Sequence, residues 1–334
     1  MKDILGVCGG NGVILHPFLN DPHFRVIGNI EPRAIFATPD NAQWKMNFKS
    51  IPLIKEDMGY ADDRFRGVKP FLIIGAPDCG DNSVLRMSRA KKAGNSKTNK
   101  SMTTFIESVQ FLQPSVFIME NLPALLKVFS REDLLNLFPS YDIRLNVGSV
   151  SEYGNSQITR KRLLIIGVLK GGKISKAKFV PHRVNVLRRV KSISPDLWET
   201  EDMNICNVRE NIKDMITIYA GKKLSLKAIR DKWKEMPLGR WIVTDRRFTT
   251  APGVYMNTPH RYPVTARKAN RQFNPKGLTM SPRELADVQG IPRDFILTYD
   301  DKRKQFWINK ARATATKCPP YEIGQWAYEI LKNV

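Results

Sequence analysis

Two short apolar runs, each followed closely by a reactive side chain, constrain the fold of this chain most strongly. Residues 71–74 are apolar and lead through Gly75 into a turn that reaches Cys79. Later in the chain, residues 115–119 lead directly to Glu120. Because neighbouring parallel strands end at the same edge of a sheet, the thiol and the carboxylate are expected to face one crevice. A thiol that can attack an electron-poor ring, beside an acid that can hold or protonate it, predicts an enzyme.

Short apolar runs alternate with polar, helix-compatible stretches through the first 170 residues. The helical spacing of Phe105, Val109 and Leu112 predicts a helix over residues 100–112, between two of the runs. Such alternation predicts an α/β fold with a doubly wound parallel sheet. The strand candidates are residues 4–8, 25–30, 71–74, 116–119 and 163–168.

The chain changes character near residues 170–173, where two glycines lie between two lysines. The following hundred or so residues are basic and weakly periodic, which predicts a second domain of irregular structure. Beyond it, Ser281 is placed to cap a helix that has Pro282 in its first turn. A last helix is predicted over residues 321–331.

The charge balance points to a polyanionic partner. The sequence holds 54 Lys and Arg against 32 Asp and Glu, a net charge of +22. The excess is concentrated in two segments without any acid, residues 84–100 and 170–191. Nucleic acid is the partner that such a distribution favours.

Cysteine spacing and hydropathy exclude other classes of protein. The four cysteines are widely separated and form no CxxC pair, so we expect neither a metal site nor a disulfide framework. No apolar stretch approaches the roughly 18 residues of a membrane span. We therefore expect a cytoplasmic protein that does not bind membranes.

A glycine-rich turn follows the first strand candidate. Gly9 and Gly10 would let a ligand approach the backbone closely, although such turns also occur for steric reasons alone. Glu31 ends the second strand candidate, where a carboxylate commonly binds ribose hydroxyls. Asp57 could similarly meet an adenine amine. Together the three features predict an adenosine-containing cofactor.

Six ordered motifs give the chain a family resemblance. It resembles the DNA cytosine-C5 methyltransferases, and only residues 175–260, where that family keeps its variable target-recognition region, lie outside the resemblance. The motifs are the turn at 5–10, Pro77 with Cys79, Glu120-Asn121-Leu122, and residues 153–162, 278–292 and 315–320.

The resemblance implies covalent catalysis on a flipped-out cytosine. Cys79 would attack C6, Glu120 would contact N3 and the exocyclic amine, and Arg162, with Arg160 nearby, would hold O2. The activated C5 would then take a methyl group from S-adenosylmethionine. Further substrate contacts are implied for Ser83, Asn121 and Gln157.

The resemblance also implies a cofactor site, a domain order and a partner. The fold would be the Rossmann-like S-adenosylmethionine-dependent methyltransferase fold, with a catalytic domain over 1–172, a smaller, mostly β target-recognition domain over 173–275, and a segment over 276–334 that completes the first. Double-stranded DNA would be the partner of a monomeric enzyme in a bacterial or phage-infected cell. The implied cofactor residues are Leu5, Val7, Cys8, Gly9, Gly10, Glu31, Pro32, Asp57, Met58, Pro77, Ser101, Thr316 and Lys317.

Three departures from the family pattern leave alternatives open. Asp78 replaces the proline before the nucleophile, and a carboxylate beside a thiolate raises the thiol pKa unless it points elsewhere. Val7 replaces the first glycine of the turn, and Lys317 lies where the cofactor's methionine end is expected. The alternatives are a carboxymethyltransferase that uses carboxy-S-adenosylmethionine with Lys317 as carboxylate partner, an RNA cytosine methyltransferase, and a DNA-binding relative that has lost activity.

Overall fold

A computed structural model describes much of the first 181 residues and parts of the remainder. The strands within residues 217–272 are described by their backbone alone. The described residues are 1–33, 42–55, 63–78, 100–154, 160–181, 217–219, 222–224, 241–244, 255–257, 271–272, 283, 286, 289–297 and 318–334.

Seven strands form the main sheet, in the spatial order β3-β2-β1-β4-β5-β7-β6. All five strand candidates are confirmed, with ends that differ by at most two residues. The strands are β1 Lys2–Val7, β2 Phe24–Ile30, β3 Leu53–Ile54, β4 Leu72–Gly75, β5 Val116–Asn121, β6 Tyr141–Ser149 and β7 Lys161–Leu169.

Strands β3 and β6, which the apolar runs of the sequence do not predict, lie at the two edges of this sheet. β3 has only two residues, too few for any periodic signal. β6 alternates apolar Tyr141, Ile143 and Leu145 with polar residues. That period of two is typical of a half-buried edge strand, so the alternation could have predicted β6.

The sheet is mixed rather than purely parallel. β3, β2, β1, β4 and β5 run parallel to their neighbours, whereas β7 is antiparallel to both β5 and β6. A parallel crossover usually needs a helix between the strands, and residues 150–160 are too few to provide one. The chain therefore turns back directly from β6 into β7.

Helices pack on both faces of the sheet. Those of the described residues are α1 Ala42–Phe48, α2 Lys100–Leu112, α3 Arg131–Leu137 and α4 Tyr321–Leu331. The predictions for 100–112 and 321–331 are confirmed with the same bounds. Of the helix predicted from Ser281, Arg283 and Ala286 are helical, and its capping residues lie outside the described part.

Successive side chains of the central strands enter two separate cores. In β5, Ile118 lies in one core with Trp326 of α4. Its neighbour Phe117 lies in the other core, with Phe105 of α2. Because both faces of β5 are covered, its sequence is a continuous apolar run that ends only at Glu120.

Five further short strands occur in the stretch predicted to be a second domain, and the domain division itself stays a prediction. β8 Thr217–Tyr219 pairs with β9 Lys222–Leu224, while β10 Trp241–Thr244 lies between β11 Tyr255–Asn257 and β12 Arg271–Gln272. Among the described helices, none combines the length and apolar character that a membrane crossing requires.

Candidate active site

The candidate site lies at the carboxyl edge of β2, β1, β4 and β5. From β1 the chain continues to β2 and β3 on one side, and β4 and β5 extend the sheet on the other. The order of strands therefore reverses between β1 and β4, which is where ligands bind in open α/β sheets. Gly75 shows how closely these strand ends approach, because a Cβ there would lie 1.7 Å from the Val7 carbonyl oxygen.

The turn after β1 is held in shape by Asn29, a buried polar residue of β2. Asn29 Oδ1 accepts a hydrogen bond from Gly9 N at 3.1 Å, and Asn29 Nδ2 donates one to Gly10 O at 3.0 Å. Cys8 and Gly10 have left-handed backbones, with φ of 58° and 65°. Such strain in a non-glycine residue is common where a fold presents its backbone to a ligand.

Glu31 lies beneath this turn, fully buried, and forms an ion pair with Arg33. Arg33 Nε donates to Glu31 Oε1 and Arg33 Nη2 donates to Glu31 Oε2, each at 2.6 Å. Gly10 N adds a third hydrogen bond, to Glu31 Oε2 at 2.7 Å. Burial alone lowers the pKa of Arg33, but the attraction of Glu31 outweighs it and the net pKa is raised, so the guanidinium stays charged.

Two hydrogen bonds fix the turn that leads to Cys79. Ser101, in the first turn of α2, accepts a hydrogen bond from Asp78 N at 2.7 Å. Asn121, at the end of β5, donates to the Pro77 carbonyl oxygen at 3.3 Å. Asp78 itself is exposed. Three of the predicted site residues, Pro77, Ser101 and Asn121, are thus brought together around the segment that precedes Cys79.

Glu120 and Arg162 form an ion pair at the end of β5. The pair follows from the strand register, since Glu120 lies opposite Leu164 of β7 and Arg162 is two residues further along the same face. Their side chains are 8% and 16% exposed, respectively. A carboxylate and a guanidinium, both largely buried, thus lie at the same edge of the sheet as Pro77 and Asp78.

A family model described as C-5 cytosine-specific DNA methylase matches residues 26–312. This chain belongs to the C-5 cytosine-specific DNA methylase family. It is a methyltransferase enzyme with the Rossmann-like fold of the S-adenosylmethionine-dependent methyltransferases. None of the curated protein sequences compared with it matches.

Solved methyltransferase structures share the fold over the whole chain. A prophage-encoded protein of E. coli, described as a DNA modification methyltransferase, has a TM-score of 0.63 and 17% identity, covering 100% of this chain and 99% of its own. EhMeth of Entamoeba histolytica has a TM-score of 0.59 and 13% identity, with coverage of 100% and 98%. Dnmt2 of S. pombe has a TM-score of 0.56 and 10% identity, with coverage of 100% and 99%.

The crevice suits the S-adenosylmethionine of this family. Glu31 and the carbonyl oxygens of Cys8 and Ala76 all accept hydrogen bonds, and here they accept them from a guanidinium. An adenosyl sulfonium presents ribose hydroxyls and positive charge, which such an acceptor set favours. When bound, it supplies an electrophilic methyl group. Pro32 beside Glu31 is half-buried.

The other predicted cofactor residues of the turn, Leu5, Val7 and Cys8, have buried side chains. The side chains of Leu5 and Val7 pack in the α2-side core, so only their backbone borders the crevice. Cys8 is also buried, and its thiol donates to the Ser101 carbonyl oxygen at 3.4 Å. Burial raises the pKa of Cys8 well above its usual value, and the Glu31 charge raises it further. Cys8 therefore lines the site as a neutral thiol.

Arg160, the second predicted arginine, lies apart from the Glu120–Arg162 pair. Its guanidinium donates to the Gln289 side chain and, at 3.5 Å, to the Cys318 carbonyl oxygen. It is 3% exposed. Arg160 thus joins β7 to two segments near the carboxyl terminus, and its contact with cytosine stays a prediction.

Asn29 and Arg33 are site residues that the sequence did not predict. Seven other residues, which the sequence did predict, lie outside the described part of the chain. A polar residue inside the otherwise apolar β2 could have pointed to Asn29, because a buried amide needs hydrogen-bond partners. Arg33 gave no comparable signal. The residues outside the described part are Asp57, Met58, Cys79, Ser83, Gln157, Thr316 and Lys317.

Proposed function

We propose that this enzyme methylates C5 of a flipped-out cytosine in double-stranded DNA, with S-adenosylmethionine as donor and Cys79 as nucleophile. The observation that carries the proposal is the Glu120–Arg162 pair, which lies beside the turn leading to Cys79 and at the same edge as the Glu31 crevice. A ring held by this pair would lie between a thiol and a methyl donor.

The chemistry assigns a separate role to each group. The Cys79 sulfur adds to C6 while the ring gains a proton at N3, which Glu120 holds in position. C5 thereby becomes nucleophilic and takes the methyl group. N3 then returns its proton to Glu120, and loss of the C5 proton to solvent expels the Cys79 sulfur and restores the aromatic ring. Arg162 orients Glu120 and holds O2 of the cytosine.

DNA is proposed over RNA because the matching family model describes a DNA methylase, while the charge of +22 supports a polyanionic substrate of either kind. A single chain carries both the crevice and the ion pair, so we expect a monomer. Because the proposed substrate is DNA, we expect the enzyme to act inside the cell. Sedimentation at working concentration and parallel assays on duplex DNA and on RNA test these points. Preferential modification of RNA would overturn the choice of substrate.

The donor is tested by competition. The enzyme is incubated with duplex DNA and equal amounts of S-adenosylmethionine and carboxy-S-adenosylmethionine. The mass of the modified cytosine is then measured by mass spectrometry. We expect methylcytosine alone. Carboxymethylcytosine that disappears in Lys317→Asn would instead support the alternative donor, with Lys317 as the partner of its carboxylate.

The covalent step is tested by trapping with duplex DNA that contains 5-fluorocytosine, whose C5 fluorine cannot leave as a proton does. Intact-mass measurement should show a protein–DNA adduct for the wild type and none for Cys79→Ser, because the adduct bond is made by the Cys79 sulfur. Cys79→Ser should still bind DNA. Turnover by Cys79→Ser at a substantial rate would remove this mechanism.

A further inference from the structure

The Arg33 side chain crosses the crevice at the point where the strand order reverses. Besides Glu31 at the end of β2, its guanidinium bonds the Ala76 carbonyl oxygen beyond β4 at 2.9 Å and the Cys8 carbonyl oxygen beyond β1 at 2.5 Å. The Arg33 side chain is only 14% exposed. A positively charged group of the protein thus bonds the same three acceptors, Glu31 and the carbonyl oxygens of Cys8 and Ala76, that the proposed cofactor site offers.

Every lone-pair site of the Glu31 carboxylate already accepts a hydrogen bond. Oε1 accepts hydrogen bonds from the Arg33 backbone N and from Arg33 Nε, at 3.0 and 2.6 Å. Oε2 accepts from Gly10 N and from Arg33 Nη2, at 2.7 and 2.6 Å. A carboxylate oxygen has about two lone-pair sites, so both oxygens already have as many donors as they can accept.

Withdrawal of the Arg33 guanidinium would free two of the four lone-pair sites of Glu31. The two backbone donors, Gly10 N and Arg33 N, would remain, and each Glu31 oxygen would regain one lone pair. Two adjacent acceptor sites are what the two hydroxyls of a ribose require. The carbonyl oxygens of Cys8 and Ala76 would be released at the same time, as acceptors for the cationic end of the cofactor.

We propose that Arg33 is an internal latch, which closes the cofactor site in the ligand-free enzyme and is displaced when the cofactor binds. The proposal rests on the proposed function, in which Glu31 binds the ribose. The latch stabilises the free enzyme, because Glu31 would otherwise be a buried, unpaired carboxylate. It also weakens cofactor binding, since only the fraction of molecules with an open latch is competent to bind.

The test measures cofactor affinity directly, by calorimetric titration of S-adenosylhomocysteine and S-adenosylmethionine into the ligand-free protein. Arg33→Ala should bind about tenfold more tightly than the wild type if roughly one molecule in ten is open. Its melting temperature without ligand should fall, while the rise on adding ligand should grow. Arg33→Gln keeps hydrogen-bond donors but loses the charge. It should change the cofactor affinity and the ligand-free melting temperature in the same directions as Arg33→Ala, but by less.

Arg25 provides a matched control. It lies near the start of β2, whereas Arg33 follows the end of that strand. Arg25 loses the same charge when replaced by alanine and also forms a two-pronged pair, with Asp3 at 2.8 Å for both bonds. That pair is at the opposite end of β2 and Arg25 is 61% exposed. Arg25→Ala should leave cofactor affinity unchanged, which separates release of the latch from a general change in protein charge.

Glu31→Gln distinguishes failure of the latch from failure of the proposed function. If Glu31→Gln weakens binding but Arg33→Ala and Arg33→Gln do not tighten it, the cofactor site is correct and the latch is overturned. If Arg33→Ala weakens binding, Arg33 is a contact of the bound cofactor and the latch is likewise overturned. If Glu31→Gln leaves cofactor affinity unchanged both in the wild type and in Arg33→Ala, the assignment of Glu31 to the ribose and the latch are both overturned.

Discussion

Replacement of Glu120 by glutamine tests the active-site pair with little change of shape. The substitution removes one negative charge and leaves the Arg162 guanidinium in a position where only 16% of the side chain is exposed. Breaking a fully buried ion pair in this way costs about 3–5 kcal/mol. Because Arg162 retains some exposure and the glutamine oxygen can still accept a hydrogen bond, we expect a loss of about 1–3 kcal/mol in the free energy of unfolding.

The catalytic loss should be larger than this change in stability can explain. If Glu120 holds the proton at N3, the rate of methyl transfer should fall by about 10²–10⁴-fold, the range of general acid–base effects. The assay is single-turnover methyl transfer to duplex DNA at saturating cofactor. Urea denaturation of the same preparations gives the fraction folded. Formation of the adduct with 5-fluorocytosine DNA should slow in parallel, because addition at C6 is the step that the acid assists.

Asp142→Asn supplies the control. Asp142 is also an acid of the main sheet that pairs with a base, since Lys176 Nζ lies 3.7 Å from its Oδ1, but the two side chains are 54% and 49% exposed. Loss of so exposed a pair should change stability by less than about 1 kcal/mol and leave the rate unchanged. A Glu120→Gln enzyme that is folded and transfers methyl groups at the wild-type rate would refute the assigned role.

Two further predictions concern charge and pH. The segment from Lys170 to Pro181 begins beside Ser140, at the edge of the sheet away from the crevice. By Phe179 it has returned to Asn146, which lies level with Glu120 across the intervening strand β7. Charge reversal within the basic residues 183–191 should flatten the salt dependence of DNA binding by about 0.9 in log–log slope for each phosphate that is no longer neutralised. Reversal of Lys170, at the edge of the sheet away from the crevice, should leave the slope unchanged, and equal effects would contradict this difference. Burial also raises the pKa of the Cys318 thiol to about 12. The thiol is then protonated in the folded state and ionises first in the unfolded state, so its stabilisation is complete below about pH 8.5 and is lost as pH rises toward the folded pKa. Denaturation curves should show a smaller decline above that pH in Cys318→Ala; identical declines would mean that the thiol does not titrate with unfolding.

The sequence by itself determined the central strands, the two long helices and the order of the functional motifs. These features are local. β5 is apolar throughout because both of its faces are covered, and α2 shows a helical repeat because one side meets the sheet. A residue at the end of such a strand, as Glu31 and Glu120 are, can be assigned to the carboxyl edge of a sheet without knowing its neighbours.

Only the tertiary structure decided which of those residues meet. The pairing of Glu120 with Arg162 depends on the antiparallel register of β5 and β7, and nothing local in either strand specifies it. Arg160, two residues before Arg162, instead bonds Gln289 and Cys318, which are distant in sequence. Arg33 crosses three strand ends to reach Ala76 because the order of strands brings β2, β1 and β4 side by side. Contacts of this kind depend on distances between segments far apart in the chain, and a residue pattern within one segment carries no information about them.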